Sequence, residues 1–510
     1  MTSMGIGIVV YVVFFVILGS AMITLIRRSG QRYVVAGRAL PFILVSATLL
    51  AQSMDANASL GNVASLHDGG FWLGFSYPLG LAICLVVVGL WYAKPLNRMK
   101  LLTLPDFYYR RYGSLVEILV ALLMMFSFVI LVAGNFAGGS WILSSILGIS
   151  YTKCLVMLAC FIFIYTIAGG LFSVVATDIV QIYPAIFAFI GAAIYIFFKY
   201  NDGGGWSTFA ANIPPGYFDF SGLYSIDNGA LIVWANLAAL GIGDVIALDF
   251  MERVFSAKAP STARRACFWA AGGTVIAGLA CSFVGLMSFT VLPDFAGDPR
   301  DVLPTLSLMK VPFLLGLFMM GGVIAAGMST ADGGILGVST VLGRNFLLRH
   351  VYRPLWEKRA KKANGGGVEW TEQVKKVADW RLLIASRIMA IPVVAAAIYM
   401  AIVKPEPGML LVLAFDVVFA GCLVPLTLGI YWKKANMPGA LAAIFVGSIL
   451  RLILYFTIPE HLAGLDTLIP PVVSLMVMVP VSLMTQKSHP PRHEVVNWVP
   501  TDEEILTGVA

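Results

Sequence analysis

The sequence LLAQSMDANASLGNVAS, Leu49–Ser65, places polar side chains in the middle of an apolar segment. A helix facing lipid would be built from Leu and Val, whereas this segment contains Gln52, Ser53, Asp55, Asn57 and Ser59, followed by Gly61. Backbone groups freed by a helix break are tolerated at membrane depth only where they line a cavity or are buried in protein. The stretch therefore predicts a broken membrane helix with a binding site at the break.

The composition around this stretch is that of an integral membrane protein. Of 510 residues, 59% are hydrophobic and only 12% are charged, which is far from the usual composition of soluble domains. Apolar runs of about 18 or more residues are long enough to cross a bilayer. We predict an all-α protein with thirteen spans, at residues 6–26, 42–63, 71–93, 114–135, 151–168, 174–198, 229–248, 267–291, 312–342, 383–403, 408–431, 437–457 and 468–485.

The distribution of Lys and Arg predicts the orientation, because cytoplasmic loops contain an excess of them. Segments 27–41, 94–113, 249–266, 343–382, 432–436 and the C-terminal tail together hold 27 of the 34 basic residues. This places the N-terminus outside and the C-terminus in the cytoplasm of a multi-pass plasma-membrane protein. The net charge of +7 then reflects topology and contact with anionic lipid, and it gives no indication of nucleic-acid binding.

A second interrupted helix indicates an internal repeat. Span 7 contains LAALGIGDVIALDFMERV, Leu237–Val254, in which Gly241 and Gly243 precede Asp244. If spans 2–6 and 7–11 are two five-helix halves, these breaks correspond, and the odd number of helices inverts one half relative to the other, as in many secondary transporters. The predicted divisions are 1–41, 42–198 (first repeat), 199–228 (extracellular loop), 229–431 (second repeat) and 432–510 (two further helices and the tail).

Span 9 carries oxygen ligands for a cation in VIAAGMSTADGGILG, Val323–Gly337. Ala326 precedes Ser329 by three residues and Thr330 by four, so its carbonyl and both hydroxyls share one helix face. Hard cations such as sodium prefer oxygen ligands. Unwound backbone around Ser53 and Ala56 of span 2 is predicted to complete the shell.

The same span and span 6 carry carboxylates that need a partner in the membrane. Asp332 lies one turn beyond Ser329, and Asp178 lies near the cytoplasmic end of span 6; sodium or a proton would neutralise either of them. The alternative for Ser329 and Thr330 is a hydrogen bond back to their own helix. We interpret Asp249, Glu252 and Arg253 as a juxtamembrane charge cluster with a structural or gating role, and Arg387 and Arg451 as paired or snorkelling side chains.

Five motifs together resemble the sodium:solute symporter family over most of the chain. They are RYVVAGRALP (Arg32–Pro41), LTLPDFYYRRYG (Leu102–Gly113), GGLFSVVATDIVQ (Gly169–Gln181), ERVFSAKAPSTARR (Glu252–Arg265) and AAGMSTADGGIL (Ala325–Leu336). The third is similar to the family signature "GGLxAVxwTDxxQ", the most specific of the set. The last is similar to "AAxmSTaDSxLL", from which Gly333 departs because the family pattern has serine there.

The resemblance implies a LeuT-like 5+5 inverted repeat over spans 2–11, with spans 2 and 7 broken, and sodium-coupled alternating access. The implied sodium ligands are Ser53, Ala56, Ala326, Ser329 and Thr330. A second sodium or exit site is implied at Asp178 and Asp332, although Gly333 removes one ligand from it. The implied solute site lies between the span 2 break and spans 3, 7 and 11, with Gln52, Asp55, Asn57, Ser59, Phe71 and Asp244.

The predicted function is import of a small carboxylate or amino acid with sodium. A proton-coupled symporter of the same fold and a transporter-like membrane sensor are the alternatives. An enzyme is not expected, because the sequence has no evident nucleophile–base pair or metal cluster. The expected partners are the solute, sodium ion and membrane lipid, and the chain is taken as a monomer or an oligomer of unspecified order.

Overall fold

A computed structural model describes residues 3–201, 205–356, 358 and 371–492. Within these ranges the regular structure is helical, apart from an isolated bridge between Leu40 and Ala257. The predicted all-α class is therefore confirmed. Residues 202–204 of the predicted extracellular loop, 357 and 359–370 of the predicted 343–382 loop, and 493–510 of the predicted tail lie outside the described residues.

Each predicted span has a corresponding helix or set of helices, although span 4 ends 12 residues later and span 10 begins 11 residues earlier than predicted. Spans 1–6 correspond to Ser3–Ala21 with Ile23–Ile26, Phe42–Gln52 with Ala56–Gly69, Phe71–Val87 with Val88–Tyr92 and Ala93–Arg98, Ser114–Leu147, Tyr151–Gly169 and Leu171–Tyr200. Spans 7–13 correspond to Ala230–Gly241 with Gly243–Ile246 and Leu248–Ser256, Pro260–Val291, Phe313–Val341 with Leu342–Tyr352, Glu372–Val403, Pro407–Gly421 with Leu423–Tyr431, Met437–Thr457 and Leu465–Met484.

Short helices occupy the connections between the spans. They are Gly30–Val35, Ala36–Arg38, Pro105–Tyr112, Gly205–Ala211, Ser221–Tyr224, Ile226–Asn228, Pro299–Asp301, Val302–Met309 and Glu460–Leu462. Among the described residues, ten helical segments are long and apolar enough to cross a membrane, or twelve if two bent pairs are each one span. Phe42–Gln52 is shorter, and it occupies predicted span 2 together with Ala56–Gly69. The chain is thus a multi-pass membrane protein, and the count of thirteen stays a prediction.

The structure breaks span 2 where its sequence is polar. The first half ends at Gln52, and the second half begins at Ala56. Asp55 is extended and caps the second half, because its carboxylate accepts a hydrogen bond from the Ala58 N–H at 2.7 Å. An Asp at this position competes for backbone donors and favours a helix start. The predicted break is therefore confirmed, and its cause is local.

Span 7 is also broken as predicted, and span 11 has a further break that the sequence analysis missed. In span 7 the helix ends at Gly241 and resumes at Leu248, with a bend of 48°. In span 11 the axis bends by 49° at Cys422. The signal for this break was Gly421 with nearby Pro425, but both residue types are common in intact membrane helices.

Small residues bring spans 4 and 9 against the break in span 2. A Cβ at Gly327 of span 9 would lie 2.6 Å from the Cβ of Ala56, and one at Gly138 of span 4 would lie 3.1 Å from it. Gly134 of span 4 gives the same kind of close approach to the Asn57 side chain. The start of the second half-helix is therefore held between spans 4 and 9, as small residues allow in membrane proteins.

A cluster of charged side chains at the predicted cytoplasmic end holds Leu342–Tyr352, the extension of span 9, in place. Arg344 and Arg349 contact the buried carboxylate of Asp106 at 3.0 and 2.7 Å, and Arg349 also pairs with Glu117. Burial would raise the pKa of Asp106, but Arg344, Arg349 and Arg110 hold it well below its usual range. The carboxylates of Asp106 and Glu117 are therefore compensated by arginines of the protein, without a bound ion.

Candidate functional site

The Ser329 and Thr330 hydroxyls of span 9 are buried and free of internal hydrogen bonds. Both residues are no more than 2% exposed, and neither hydroxyl has a hydrogen-bond partner among the described residues. A buried hydroxyl in a membrane helix ordinarily bonds back to its own helix, as Thr166 does with Ile162 at 2.7 Å and Thr274 with Ala270 at 2.9 Å. The structural alternative for Ser329 and Thr330 is thus not realised, and their oxygens are available to a ligand.

The predicted partners of these hydroxyls lie at the break in span 2. Ala326 is buried one turn before them, and the contact between Gly327 and Ala56 joins the two elements. The hydroxyl of Ser53 lies 2.5 Å from that of Thr274 and bonds back to Leu50 at 3.0 Å. The Ser53 hydroxyl is therefore already engaged, and the backbone carbonyl of Ser53 is the group that an ion would contact.

The predicted second ion site contains a cation from the protein itself. Asp178 and Arg253 are both fully buried, with Arg253 Nη2 3.8 Å from Asp178 Oδ2. Gln181 donates to the other Asp178 oxygen at 3.1 Å, and the Ser173 hydroxyl donates to Asp332 at 2.8 Å. The Ser329 side chain lies next to the Asp178 carboxylate, although it does not reach hydrogen-bond geometry.

Gly333 provides the space for this arginine. A Cβ at Gly333 would lie 3.1 and 3.2 Å from the Nη1 and Nη2 atoms of Arg253, which is tighter than most contacts between carbon and nitrogen in packed cores. The guanidinium also donates to the Asp249 carbonyl at 2.9 Å. Arg253 was predicted to lie in a juxtamembrane cluster, whereas the structure places it in the interior beside the predicted second ion site.

Four of the predicted solute residues belong to the hydrogen-bond network of the break. Gln52 donates to Asp249, and the Ser59 hydroxyl donates to the Met54 carbonyl at 3.3 Å. Asn57 donates to the Leu131 carbonyl at 3.3 Å and to Asp55 at 3.4 Å. Asn135 of span 4, which the sequence analysis missed, donates to Asp55 at 2.7 Å. The only indication of this role for Asn135 in the sequence was a single amide side chain in an apolar span.

The other two predicted solute residues, Asp244 and Phe71, are outside this hydrogen-bond network and lie in different surroundings. Asp244 is 1% exposed, and both of its carboxylate oxygens are without a hydrogen-bond partner in the part of the chain that the structure describes. Its carboxylate is close enough to those of two other buried residues, Asp249 and Asp55, to interact with them electrostatically. Phe71 begins span 3 and stacks on Phe75 with the ring centroids 5.2 Å apart. The 14-residue helix Ala56–Gly69 separates it from the break, a distance of roughly 20 Å, so Phe71 is not brought to the others.

Comparisons with known proteins agree on one family. The model of the sodium:solute symporter family matches residues 33–365 and 370–447. A sodium/proline symporter of Staphylococcus aureus is 26% identical over 505 residues, covering 93% of this chain and 92% of that one. High-affinity choline transporter 1 of Drosophila melanogaster is 24% identical over 444 residues, covering 83% of this chain and 66% of that one.

A solved structure shares the fold. The substrate-bound outward-open state of a Na⁺-coupled sialic acid symporter aligns with a TM-score of 0.73 and 15% sequence identity, covering 96% of this chain and 98% of that one. At this identity the likeness shows the fold alone. It confirms the predicted LeuT-like helical architecture.

Proposed function

The chain belongs to the sodium:solute symporter family, and from this premise we propose that it imports a small organic solute together with sodium by alternating access. It is a multi-pass protein of the plasma membrane. The concentration of Lys and Arg in alternate loops supports an outer N-terminus and a cytoplasmic C-terminus. The observation that carries the sodium assignment is the pair of buried, unpartnered hydroxyls of Ser329 and Thr330 beside the break in span 2.

In the proposed cycle, sodium bridges span 2 to span 9 through the carbonyls of Ser53, Ala56 and Ala326 and the two hydroxyls. This bridge favours the outward-facing state, which binds the solute, since coupling requires that both ligands prefer the same state. One charge moving down about 100 mV supplies about 2.3 kcal/mol. That free energy supports a solute gradient of roughly 50-fold.

We further propose that one sodium ion moves per cycle. Arg253 already places a positive charge beside Asp178, in space that Gly333 leaves open. A second diffusible cation would have to approach that guanidinium in a low-dielectric interior, where like charges repel strongly. Asp178 and Asp332 then serve as a counter-charge on the exit route and not as a second sodium site.

The solute that the site fits best carries a positively charged nitrogen. Asp244 offers two unpartnered carboxylate oxygens near Asp55 and Asp249, and a bound cation would stabilise a carboxylate buried there. This favours an amino acid over a lone carboxylate within the predicted solute class. The relatives are named for proline and choline, and both of these molecules contain a cationic nitrogen.

The sodium assignment is tested by thermal unfolding of the purified protein in sodium chloride and potassium chloride. Sodium should stabilise the wild type, because a ligand that binds only the folded state raises its stability. Ser329→Ala and Thr330→Ala should each raise the sodium concentration for half-maximal stabilisation roughly tenfold, since each removes one ligand. Ser339→Ala is the matched control, because its hydroxyl is buried on the same helix but bonds to Leu336 at 3.1 Å.

Uptake into proteoliposomes then separates the alternatives. Labelled proline and choline serve as probe solutes, with sodium and pH gradients imposed separately. We expect uptake that depends on the sodium gradient and is lost in Ser329→Ala. Uptake driven by the pH gradient alone would support the proton-coupled alternative. Sodium stabilisation that is equal in the wild type and both hydroxyl variants would remove the ion assignment.

A further inference from the structure

A cavity of about 560 Å³ lies between the outer halves of spans 2, 3, 7 and 11 and the last two helices. Gly61, Tyr77 and Gly408 form part of its wall, where a Cβ at Gly61 would meet the Gly408 Cα at 2.8 Å. The rim contains Asp298 and Arg300 of the connection before span 9. None of the predicted solute residues lines this cavity, so it is separate from the site at the break.

One wall of the cavity is a buried triad of two carboxylates and one guanidinium. Arg451 of span 12 donates from Nε to Asp416 Oδ2 of span 11 at 2.6 Å, and its Nη1 lies 2.9 Å from Asp466 Oδ2 of span 13. The Thr467 hydroxyl donates to the same Asp416 oxygen at 3.1 Å. The three charged side chains line the cavity, and together they carry one net negative charge.

The second oxygen of Asp416 is the open position in this triad. Asp416 is 2% exposed, and its Oδ1 has no hydrogen-bond partner in the described ranges. Asp466, by contrast, accepts the Gly464 N–H on its Oδ1 at 2.9 Å and Arg451 on its Oδ2. A buried carboxylate oxygen without a partner is costly, so the positive charge of a cation arriving at this wall stabilises it.

The remainder of the lining suits a cation with apolar substituents. Five carboxylates and two guanidinium groups line the cavity, which makes it acidic overall. Tyr77 and Tyr455 also line it, and aromatic rings attract ammonium groups, although one face of Tyr455 already holds the Arg451 guanidinium 5.2 Å from the ring centroid. Its volume lies within the range of ordinary small-molecule pockets. A bare metal ion would use neither the aromatic rings nor the volume.

We propose that this cavity is a second binding site, which takes the positively charged nitrogen of a small organic ammonium compound on Asp416. The site gathers cationic solute on the face from which transport begins. It rests on the proposed function only for its role in uptake, because binding to the cavity is independent of sodium coupling.

The test is equilibrium binding of labelled tetramethylammonium to the purified full-length Asp244→Asn variant, which removes the carboxylate proposed for the solute nitrogen and is the background for the variants below, in potassium chloride so that the sodium site is empty. Uncharged 2,2-dimethylpropanol is the competitor that matches its shape without its charge. We expect saturable binding that Asp416→Asn weakens at least tenfold. Asp298→Asn is the matched control, because that carboxylate is at the rim, is partly exposed and is already paired with Arg300; we expect less than a twofold change.

A second variant covers the case in which Asp416→Asn fails to fold, as judged by size-exclusion chromatography. Leu413→Trp fills the cavity from a lining position without changing the triad, and it should also abolish the binding. Tetramethylammonium binding that survives in folded Asp416→Asn or Leu413→Trp would overturn the proposal, as would equal competition by 2,2-dimethylpropanol. The sodium-dependent unfolding shift, measured on the same variants, reports separately on the sodium site.

Discussion

The two ion sites predicted on span 9 begin only one helical turn apart, yet different groups balance their charge. The first offers the neutral hydroxyls of Ser329 and Thr330, which have no partner within the described residues. The second offers the carboxylates Asp178 and Asp332, and it already contains the guanidinium of Arg253. On the proposal above, oxygen atoms alone do not define a sodium site. Sodium is expected to avoid a carboxylate oxygen that already contacts a fixed guanidinium, because like charges repel strongly in the membrane interior.

Removing the guanidinium of Arg253 is the strongest test of this difference between the two predicted ion sites. Arg253→Gln leaves Asp178 and Asp332 buried without their guanidinium, so we expect a loss of about 3–5 kcal/mol in the free energy of unfolding. Sodium should now enter the second site and restore part of that loss. Unfolding in sodium chloride and in potassium chloride measures both effects, and the sodium dependence should become steeper than in the wild type.

Arg265→Gln is the control for that variant. Arg265 is the last residue of the same motif but is exposed to solvent, so its loss should change the stability by less than about 0.5 kcal/mol. If Arg253→Gln were as stable as the control, with unchanged sodium dependence, the guanidinium would not be the group that balances the second site.

The cluster at the predicted cytoplasmic end extends the comparison to buried carboxylates that are compensated by arginine side chains of the protein. Asp106→Asn removes a carboxylate that contacts both Arg344 and Arg349, and we expect a loss of about 2–3 kcal/mol. Sodium should not restore it, because this cluster has no cation position to fill. Sodium rescue equal to that of Arg253→Gln would show that the stabilisation is a general salt effect.

The same residue predicts a pH dependence. Because the arginines hold the pKa of Asp106 below its usual range in the folded state, its stabilisation is present above the unfolded pKa of about 4 and is lost as the pH falls toward the folded pKa. The difference in stability between wild type and Asp106→Asn should therefore be constant from about pH 5.5 to 8. It should narrow below about pH 4, as measured by denaturant unfolding. A difference that grows on acidification contradicts the assigned ion pairs.

The sequence predicted the breaks in spans 2 and 7 because each break depends on residues next to it in the chain. These are Asp55 and its polar neighbours in span 2, and Gly241 and Gly243 in span 7. The sequence also predicted the approach of spans 2 and 9, because a cation bound by span 9 needs further oxygen ligands from unwound backbone. It did not predict the depth of Arg253, because depth depends on the 48° bend that turns Leu248–Ser256 back into the bundle. Side-chain partners such as Asn135 and Asp55 are equally tertiary, since a single sequence does not indicate which polar groups in different helices will meet.

The smallest expected change in stability comes from Gly333→Ser, which tests whether ligand number or fixed charge distinguishes the two predicted ion sites. Gly333→Ser restores the hydroxyl of the family pattern, but its Cβ would meet the Arg253 nitrogens at 3.1 and 3.2 Å. The arginine has to shift by a few tenths of an ångström, so we expect a loss of about 1–2 kcal/mol. Labelled sodium should still bind with a stoichiometry of one, because the guanidinium remains and outweighs one added hydroxyl.

Gly272→Ala is the control for this glycine, since a Cβ there meets nothing within 4 Å and a helical Gly→Ala change is neutral or stabilising. A second sodium bound by Gly333→Ser would mean that ligand number, and not the fixed charge, limits the second site. Combining Gly333→Ser with Arg253→Gln separates these two terms. If charge decides, the double variant binds two sodium ions and the serine alone binds one.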